Sequence, residues 1–334
     1  MKNGITRRDA IKHIGAAFIS TAAVSTGLLS LTSCKEKPKK RVILYFTGTG
    51  NCLYVARQLA TTGNANGLGS QTDSGNSKVR STADPIETEL LSIPQLMKEQ
   101  RFDIEADEIG IVYPIYGHMP PNMVRRFIQK ARLKAKYKFA VLTYGARKCN
   151  AVEIWDEVSR KAGYEFDYIG TIIMVDNWLP NFDMNEQVKI DKHIPENLQK
   201  IKEDIAAQRH WHEPVSEEER GMHHNFMAYT GLNPDTGFLI DSAKYFTVTE
   251  SCIECEACVS VCPRGNWELS SDGIKAHGEC EFCFACIQNC PQKAIQFAKN
   301  DSDPLLKRGE VNPNARYRNE HISLMDIKRA NNQH

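Results

Sequence analysis

Between residues 42 and 175, apolar runs of strand length alternate with stretches whose apolar residues recur at helical spacing. The runs are rich in Val, Ile, Leu and aromatic residues, which suits strands buried on both faces. Alternation of this kind predicts a five-stranded parallel sheet with helices on both faces. The expected strands are 42–46, a weaker one at 89–93, 109–114, 138–145 and 168–175; the expected helices are 53–60, 120–133 and 151–163.

Two stretches lack this alternation. Residues 61–84 are polar and rich in Gly, Ser and Asn, which predicts a flexible insertion. From 180 to about 244 the pattern supports only one helix, at 194–208. The polar segment after that helix contains four histidines, but no Cys or carboxylate pattern completes a zinc site, so exposed linker histidines are the favoured interpretation. These residues are His210, His212, His223 and His224.

Composition narrows the class of protein only slightly. A chain of 334 residues is long enough for about two domains. Its 42 Lys and Arg residues nearly balance 41 Asp and Glu residues. Because a nucleic-acid-binding surface requires clustered positive charge, this balance gives no indication of a nucleic-acid partner.

Cysteine is far more informative, because eight of the eleven cysteines fall between Cys252 and Cys290. They form two complete C-x2-C-x2-C-x3-C-P runs, which favour thiolate ligation of iron over disulfides. A zinc ribbon needs only paired C-x2-C motifs and leaves the fourth Cys and its Pro unexplained. For Cys52 and Cys149, burial as small apolar residues is the favoured interpretation and a reactive thiol pair is the alternative.

The N-terminal residues combine a charged segment with a mildly apolar one. Arg7 and Arg8 lie in TRRDAIK, ahead of an Ala-, Ser- and Gly-rich stretch that ends in LTSC. TRRDAIK resembles a twin-arginine export signal, and LTSC resembles a lipobox in which Cys34 is acylated. The alternative is a transmembrane anchor of about 20 residues. The resemblance implies an exported protein of the cell envelope, attached to the membrane by a lipid or by the signal itself.

A glycine loop, TGTGNC at residues 47–52, follows the first expected strand and leads into the first helix. It lacks the Lys of a P-loop, and Gly48 and Gly50 are not followed by the third Gly of a dinucleotide fingerprint. The Thr hydroxyls, the open backbone and the positive end of the helix suit a terminal phosphate group. A simple glycine turn is the alternative.

In this setting TGTGNC resembles the phosphate loop of flavodoxins, which implies bound FMN. Cys52 departs from that pattern, since a hydroxyl residue is usual there. Loops 113–121 and 143–150 also follow strands, and each offers an aromatic residue and a Gly for the flavin ring. Tyr113 and Thr143 are expected to lie behind these contact residues. For His118, a solvated loop residue is the favoured interpretation and a position near the flavin ring is the alternative. The implied flavin contacts are Thr47, Gly48, Thr49, Gly50, Asn51, Cys52, Tyr116, Gly117, Tyr144 and Gly145.

The two cysteine runs resemble two-cluster bacterial ferredoxins, in which the fourth Cys of each run binds the other cluster. This resemblance implies two [4Fe–4S] clusters, with a hairpin at 266–279 between the runs and a short strand at 294–297. One cluster is implied for Cys252, Cys255, Cys258 and Cys290, and the second for Cys280, Cys283, Cys286 and Cys262.

The order of these parts resembles a family of flavodoxin–ferredoxin fusion proteins over residues 41–300. It implies an α/β flavodoxin-like doubly wound parallel sheet, followed by a small α+β ferredoxin domain. The expected divisions are a signal at 1–34, an FMN-binding domain at 40–180, a helical or irregular linker at 181–247, the ferredoxin domain at 248–300 and a tail at 301–334.

The expected function is electron transfer between bound FMN and two clusters, to or from an unidentified redox protein at the cell envelope. A flavin can exchange two electrons as hydride and release them singly, whereas a cluster carries one. A flavin-dependent reductase acting on a small molecule is the alternative, so the sequence leaves open whether the protein is an enzyme. A third possibility is a docking lipoprotein whose cofactors are structural.

Overall fold

The computed structural model describes residues 39–61, 77–79, 86–237 and 239–334, with only the backbone at 77–79. The expected signal at 1–34 and most of the expected insertion at 61–84 lie outside these residues. The strands, in chain order, are β1 (Lys39–Tyr45), β2 (Ser77–Val79), β3 (Ile86–Ser92), β4 (Asp103–Glu105), β5 (Glu108–Pro114), β6 (Arg132–Lys134), β7 (Tyr137–Tyr144), β8 (Tyr168–Ile173), β9 (Trp211–His212), β10 (Ile240–Asp241), β11 (Phe246–Val248), β12 (Trp267–Ser270), β13 (Gly273–Ala276), β14 (Glu279–Cys280) and β15 (Ile295–Phe297).

Helices connect and follow these strands. In chain order they are α1 (Asn51–Ala60), α2 (Ile93–Lys98), α3 (Asn122–Lys130), α4 (Ala151–Lys161), α5 (Met184–Gln187), α6 (Ile194–Ala206), α7 (Glu217–Thr230), α8 (Ser242–Tyr245), α9 (Ala257–Val261), α10 (Ala285–Gln288) and α11 (Leu324–Asn331). None of the helices in the described ranges has the length and apolar character that crossing a membrane requires.

The largest sheet has the strand order β2-β3-β1-β5-β7-β8-β9. Strand β2 is antiparallel to β3, and the other neighbours are parallel. Six strands are therefore parallel, one more than the sequence predicted, and the additional strand is β9. The strand order reverses beside β1, so the loops after β1 and β5 diverge at the carboxyl edge of the sheet.

Both faces of this sheet are covered. Strands β5 and β7 are buried at nearly every position, which requires packing on both sides, as in other parallel sheets. Helix α1 packs beside α6, while α2, α3 and α4 pack in a row. The buried face of α6 carries Leu198, Ile201 and Ile205, so the helix predicted at 194–208 is part of the core.

The cysteine-rich part is built from short antiparallel pairs, β10 with β14, β11 with β15, and β12 with β13. The hairpin predicted at 266–279 and the strand predicted at 294–297 are both confirmed. An apolar cluster that includes Phe246, Trp267, Phe282 and Phe297 packs this part. All the described residues belong to one compact unit.

Candidate functional site

A cavity of ≈ 500 Å³ lies at the carboxyl edge of the parallel sheet. Its wall includes residues from the loops after β1, β5 and β7, which the sequence singled out separately. The residues it brings together are Thr47, Gly48, Thr49, Asn51, Cys52, Tyr116, Gly117, Tyr144 and Gly145. Of the implied flavin contacts only Gly50 is not in the wall. A cavity of this size lies within the usual range for cofactor sites.

The glycine loop presents an uncapped helix end to the cavity. Gly50 is the N-cap of α1, with a φ of 99°, and no side chain caps the helix. The Gly50 N–H donates to Thr47 Oγ1 at 3.1 Å, which holds the loop tight. The first-turn N–H groups of α1 have no intrahelical acceptor. This buried, donor-rich end fits a phosphate group.

Two of the loop side chains are already held by neighbours. Asn51 Oδ1 accepts from Tyr317 Oη at 2.6 Å and from Asn319 Nδ2 at 3.2 Å, and Thr49 Oγ1 accepts from Asn177 Nδ2 at 2.9 Å. The Thr49 hydroxyl still has its proton to donate to a ligand. Asn51 therefore serves the loop mainly by positioning it.

Asn177 belongs to a fourth loop, residues 174–180 after β8, which sequence reasoning missed. A Cβ on Gly145 would overlap the Asp176 carboxylate, so the two loops are in close contact. Burial raises the pKa of Asp176. The rule that ligands bind beyond the carboxyl ends of parallel strands also applies to this loop and would have identified it.

The C-terminal residues also contact the glycine loop, and no motif in the sequence indicates this contact. Asn319 N donates to Thr49 O at 2.9 Å. Asn331 Nδ2 donates to Thr47 O at 2.9 Å and to Val261 O at 3.1 Å, so one side chain joins the glycine loop to the end of α9.

Cys52 and Cys149 are buried. Cys52 Sγ lies 3.1 Å from Thr143 Oγ1, and burial raises the pKa of its thiol to about 12. Burial also raises the pKa of Cys149. Because thiolates are the reactive form, these positions favour a structural role over the thiol alternative.

The ligand cysteines separate into two groups in space. Cys252, Cys255, Cys258 and Cys290 line one small cavity, and we call them the outer set because Cys255 is exposed. Cys262, Cys280, Cys283 and Cys286, the inner set, are all buried. Burial raises the pKa of Cys286, and so does the charge of the other three inner thiols. Each group thus combines three cysteines of one run with the fourth of the other.

The two runs have matching local geometry 28 residues apart. Non-glycine residues take up left-handed φ values of 55° to 58° at the same positions of each run, which turns the chain around the thiols. These residues are Glu254, Glu256, Phe282 and Phe284. Backbone N–H groups also donate to sulfur at equivalent places, Glu254 N to Cys252 Sγ, Phe282 N to Cys280 Sγ, Asn266 N to Cys262 Sγ and Ala294 N to Cys290 Sγ, at 3.2–3.5 Å.

The donor set fits a multi-iron cluster better than a single ion. Within the described ranges, no three Cys, His, Asp or Glu side chains are arranged to hold one metal ion. In a four-iron cluster each thiolate binds a different iron, so the sulfur atoms surround the cluster without meeting at one point. The grouped thiols and the N–H donors to sulfur match that arrangement.

The histidines of the middle segment have ordinary partners. His212 Nε2 lies 2.8 Å from Phe166 O, and His210 Nδ1 lies 3.2 Å from an Asp167 carboxylate oxygen. The expectation for His118 as a solvated loop residue is wrong. Its ring is partly buried against Phe226 and His223 of α7, an element that the sequence reading missed.

The second cysteine run, residues 280–291, forms part of the cavity wall, and we call it the inner cysteine run. Phe282 and Phe284 line the cavity, and Trp178 stacks on Phe284 with ring centroids 5.5 Å apart. A Cβ on Gly48 would overlap the carbonyl oxygen of Cys283. Only glycine at this position lets the glycine loop and the cysteine run approach this closely.

Comparison with known families identifies one part of the chain. Residues 245–267 match the family model described as a 4Fe-4S binding domain, and the match contains Cys252, Cys255, Cys258 and Cys262. It supports at least one [4Fe–4S] cluster and indicates iron–sulfur electron transfer in a chain whose preceding part is a parallel sheet. No curated protein matches the sequence.

Proposed function

Taking the 4Fe-4S binding domain as the premise, we propose that the protein binds FMN in the cavity and transfers electrons between it and two [4Fe–4S] clusters. One observation carries the proposal: the cavity wall is shared by the sheet loops and the inner cysteine run. The Cys283 backbone packs on Gly48, so a flavin held by the glycine loop would lie beside the inner set. When bound, the flavin would supply the exchange between two-electron and one-electron steps.

Two observations favour a flavodoxin-like site. The strand order β3-β1-β5-β7-β8 corresponds to 2-1-3-4-5 in chain order, which is the order of flavodoxin. The uncapped amino end of α1 provides the donors for a phosphate dianion, with Thr47 and Thr49 hydroxyls beside it.

A second cluster is supported by the repeat. The second cysteine run reproduces the first in spacing, left-handed residues and N–H donors to sulfur. Cys258 of the outer set is close enough to Cys286 of the inner set for its charge to raise the Cys286 pKa. The resulting order is cavity, inner set, outer set and then the surface at Cys255, where a redox partner would dock.

Anaerobic reconstitution tests this proposal. The wild-type protein should contain one FMN and about eight irons per chain. Cys255→Ala and Cys286→Ala should each lose about four irons, since each removes a ligand of a different cluster. A preparation with iron but no flavin would refute the coupling, and full iron content in both variants would refute the ligand sets.

We also propose that the chain is exported and held at the cell envelope. The support is the sequence alone, namely Arg7, Arg8 and the lipobox-like segment at Cys34. Changing both arginines to Lys should abolish export. An unaltered location of that variant would contradict the proposal.

A flavin-dependent reductase is the second candidate. The specific observation is that the cavity extends beyond the sheet loops to Phe226 and Tyr229 of α7 and to Arg308, and that Arg147 of the loop after β7 also lines it. Apolar rings and two cationic side chains would suit an anionic aromatic substrate. Saturable reoxidation of the reduced protein by such a compound would favour this function, whereas reaction with redox proteins alone would favour the carrier.

A further inference from the structure

We propose that His118 and His223 form a proton relay between solvent and the group reduced in the cavity. The inference rests on the proposed function, because a flavin that accepts electrons from clusters also needs a proton. The clusters deliver electrons one at a time and carry no proton with them. The protein must therefore supply the proton by another route.

The backbone holds His118 in the cavity wall. Tyr116 and Met119 exchange backbone hydrogen bonds of 2.9 and 3.0 Å across a two-residue turn, Gly117-His118. Both central residues have positive φ, 55° and 69°, as a type I′ turn requires. A left-handed conformation is costly for a non-glycine residue, and such strain is typical of functional positions.

The two imidazoles face each other through the same ring atom. His118 Nδ1 lies 3.4 Å from His223 Nδ1, with ring centroids 5.6 Å apart. Among the described residues, none hydrogen-bonds to His118 Nε2, which leaves that nitrogen for a group in the cavity. Phe226 packs on the His118 ring at 4.7 Å and fixes its plane.

The surroundings keep His118 neutral. Burial, with smaller contributions from the charges of His223 and Arg147, lowers the pKa of His118 to about 4. Burial and the charge of His224 lower the pKa of His223. No carboxylate is among the groups that shift either ring, within the described part of the chain. A neutral imidazole has one N–H and one acceptor, which is the form that a relay needs.

The proton count balances. Before transfer, His118 carries its proton on Nε2 and accepts at Nδ1 from the Nδ1–H of His223. His118 Nε2 gives its proton to the reduced group, the Nδ1 proton of His223 moves to His118 Nδ1, and His223 Nε2 takes one proton from solvent. Each sequence of transfers moves one proton from solvent to the reduced group and leaves both rings neutral. The reverse sequence releases a proton to solvent when the group is oxidised.

The test compares FMN-loaded wild type with His118→Asn and His223→Asn, and uses His210→Asn, outside the cavity wall, as the control. Stopped-flow reduction with a pH indicator measures proton uptake. At a saturating FMN concentration, both relay variants should take up protons about 10²-fold more slowly, and the control should match wild type. Added imidazole should restore uptake in His118→Ala.

A second readout needs no flavin. Nitrogen NMR of the flavin-free chain should show the two Nδ1 atoms sharing one hydrogen bond that is lost in His223→Asn and kept in His210→Asn. Absence of that bond overturns the relay even if FMN does not bind. If FMN binds and the relay variants take up protons at the wild-type rate, the relay is also wrong. The same holds if only Asp176→Asn slows proton uptake. In both cases the proposed function stands.

Discussion

At the scale of single residues, Gly48 is the position on which both halves of the site depend. It belongs to the glycine loop, and its Cα faces the Cys283 carbonyl oxygen and the Tyr116 hydroxyl. Any side chain there must displace backbone, since the nearest atom is a carbonyl and not the end of a flexible side chain. Close contact between the glycine loop and the Cys283 backbone therefore depends on this one glycine.

Gly48→Ala should weaken FMN binding by about tenfold or more, because overpacking of this kind costs roughly 1–3 kcal/mol. The measurement is a fluorescence titration of FMN with iron-loaded protein. Gly221→Ala is the matched control, since nothing lies within 4 Å of its added Cβ. It lies inside α7 and should raise stability by up to about 1 kcal/mol. Equal FMN affinity in both variants would show that the contact does not matter.

The buried His118 should make stability depend on pH. Its folded pKa of about 4 is below the ordinary value of 6.5, so the unfolded chain binds more protons between these values. The free energy of unfolding should therefore fall as the pH drops from about 6.5 toward 4. Between pH 7 and 5, His118→Asn should reduce this loss by on the order of 1 kcal/mol in denaturant titrations. Identical pH slopes in the two proteins would contradict a buried neutral His118.

At the scale of elements, residues 319–331 connect the sheet to the cysteine-rich part, and we call this segment the clasp. The Arg57 guanidinium pairs with Asp326 of α11 at 2.6 Å, and Tyr54 stacks on His321 at 4.9 Å. Asn331 is fully buried and joins Thr47 O to Val261 O. The clasp fixes the glycine loop relative to the end of the first cysteine run.

Asn331→Ala should lower the free energy of unfolding by roughly 1–3 kcal/mol, because it leaves two buried carbonyls without their donor. Asn331 Oδ1 itself has no partner among the described residues, so its loss returns part of that cost. Asn332→Ala, on the more exposed neighbouring residue, should change stability by less than about 0.5 kcal/mol. Denaturant titration compares them, and equal effects would show that the clasp contributes nothing.

The sequence predicts some elements well for a physical reason. Strands β1, β5, β7 and β8 are continuous apolar runs, which leave little choice of structure. Strand β9 has two residues and its hydrogen bonds depend on β8, so no local pattern reveals it. Helix α7 has no buried residues and thus no apolar stripe, although its capping box of Ser216 and Glu219 was a readable signal.

The site residues also divide into those that a local pattern predicts and those that it does not. The cysteine spacing and the TGTGNC loop are local motifs, and the loops after β5 and β7 follow from the edge rule for parallel sheets. The contacts of Asn319, Asn331 and His223 join positions about 100 or more residues apart in the chain. No periodicity or spacing encodes such contacts, so only the folded structure reveals them.

At the scale of the whole molecule, the sheet and the cysteine-rich part form one compact unit. The inner set is buried against the cavity, while the outer set reaches the surface near Ile253, which is 60% exposed. Exposed apolar surface beside a redox centre suits a transient protein partner. If the proposed function holds, the flavin and the partner's docking surface would lie at opposite ends of the cluster pair.

Removal of iron should therefore weaken FMN binding by about tenfold, since the inner run that packs on Gly48 loses its internal support. Fluorescence titration of chelated and iron-loaded protein measures this. Cys255→Ala, which affects only the exposed outer set, is the control and should bind FMN nearly as tightly as wild type. Equal FMN affinity with and without iron would show that the cluster sites and the FMN site are independent.

Electron transfer from the clusters to the flavin is the most direct test of the central claim. A protein-sized one-electron donor, too large for the cavity, is mixed anaerobically with reconstituted protein, and bleaching of the flavin absorbance is followed. We expect rapid bleaching in wild type and much slower bleaching in Cys286→Ala, when both are supplied with enough FMN to saturate the cavity. Equal bleaching rates in the two proteins would contradict a route to the flavin through the inner set.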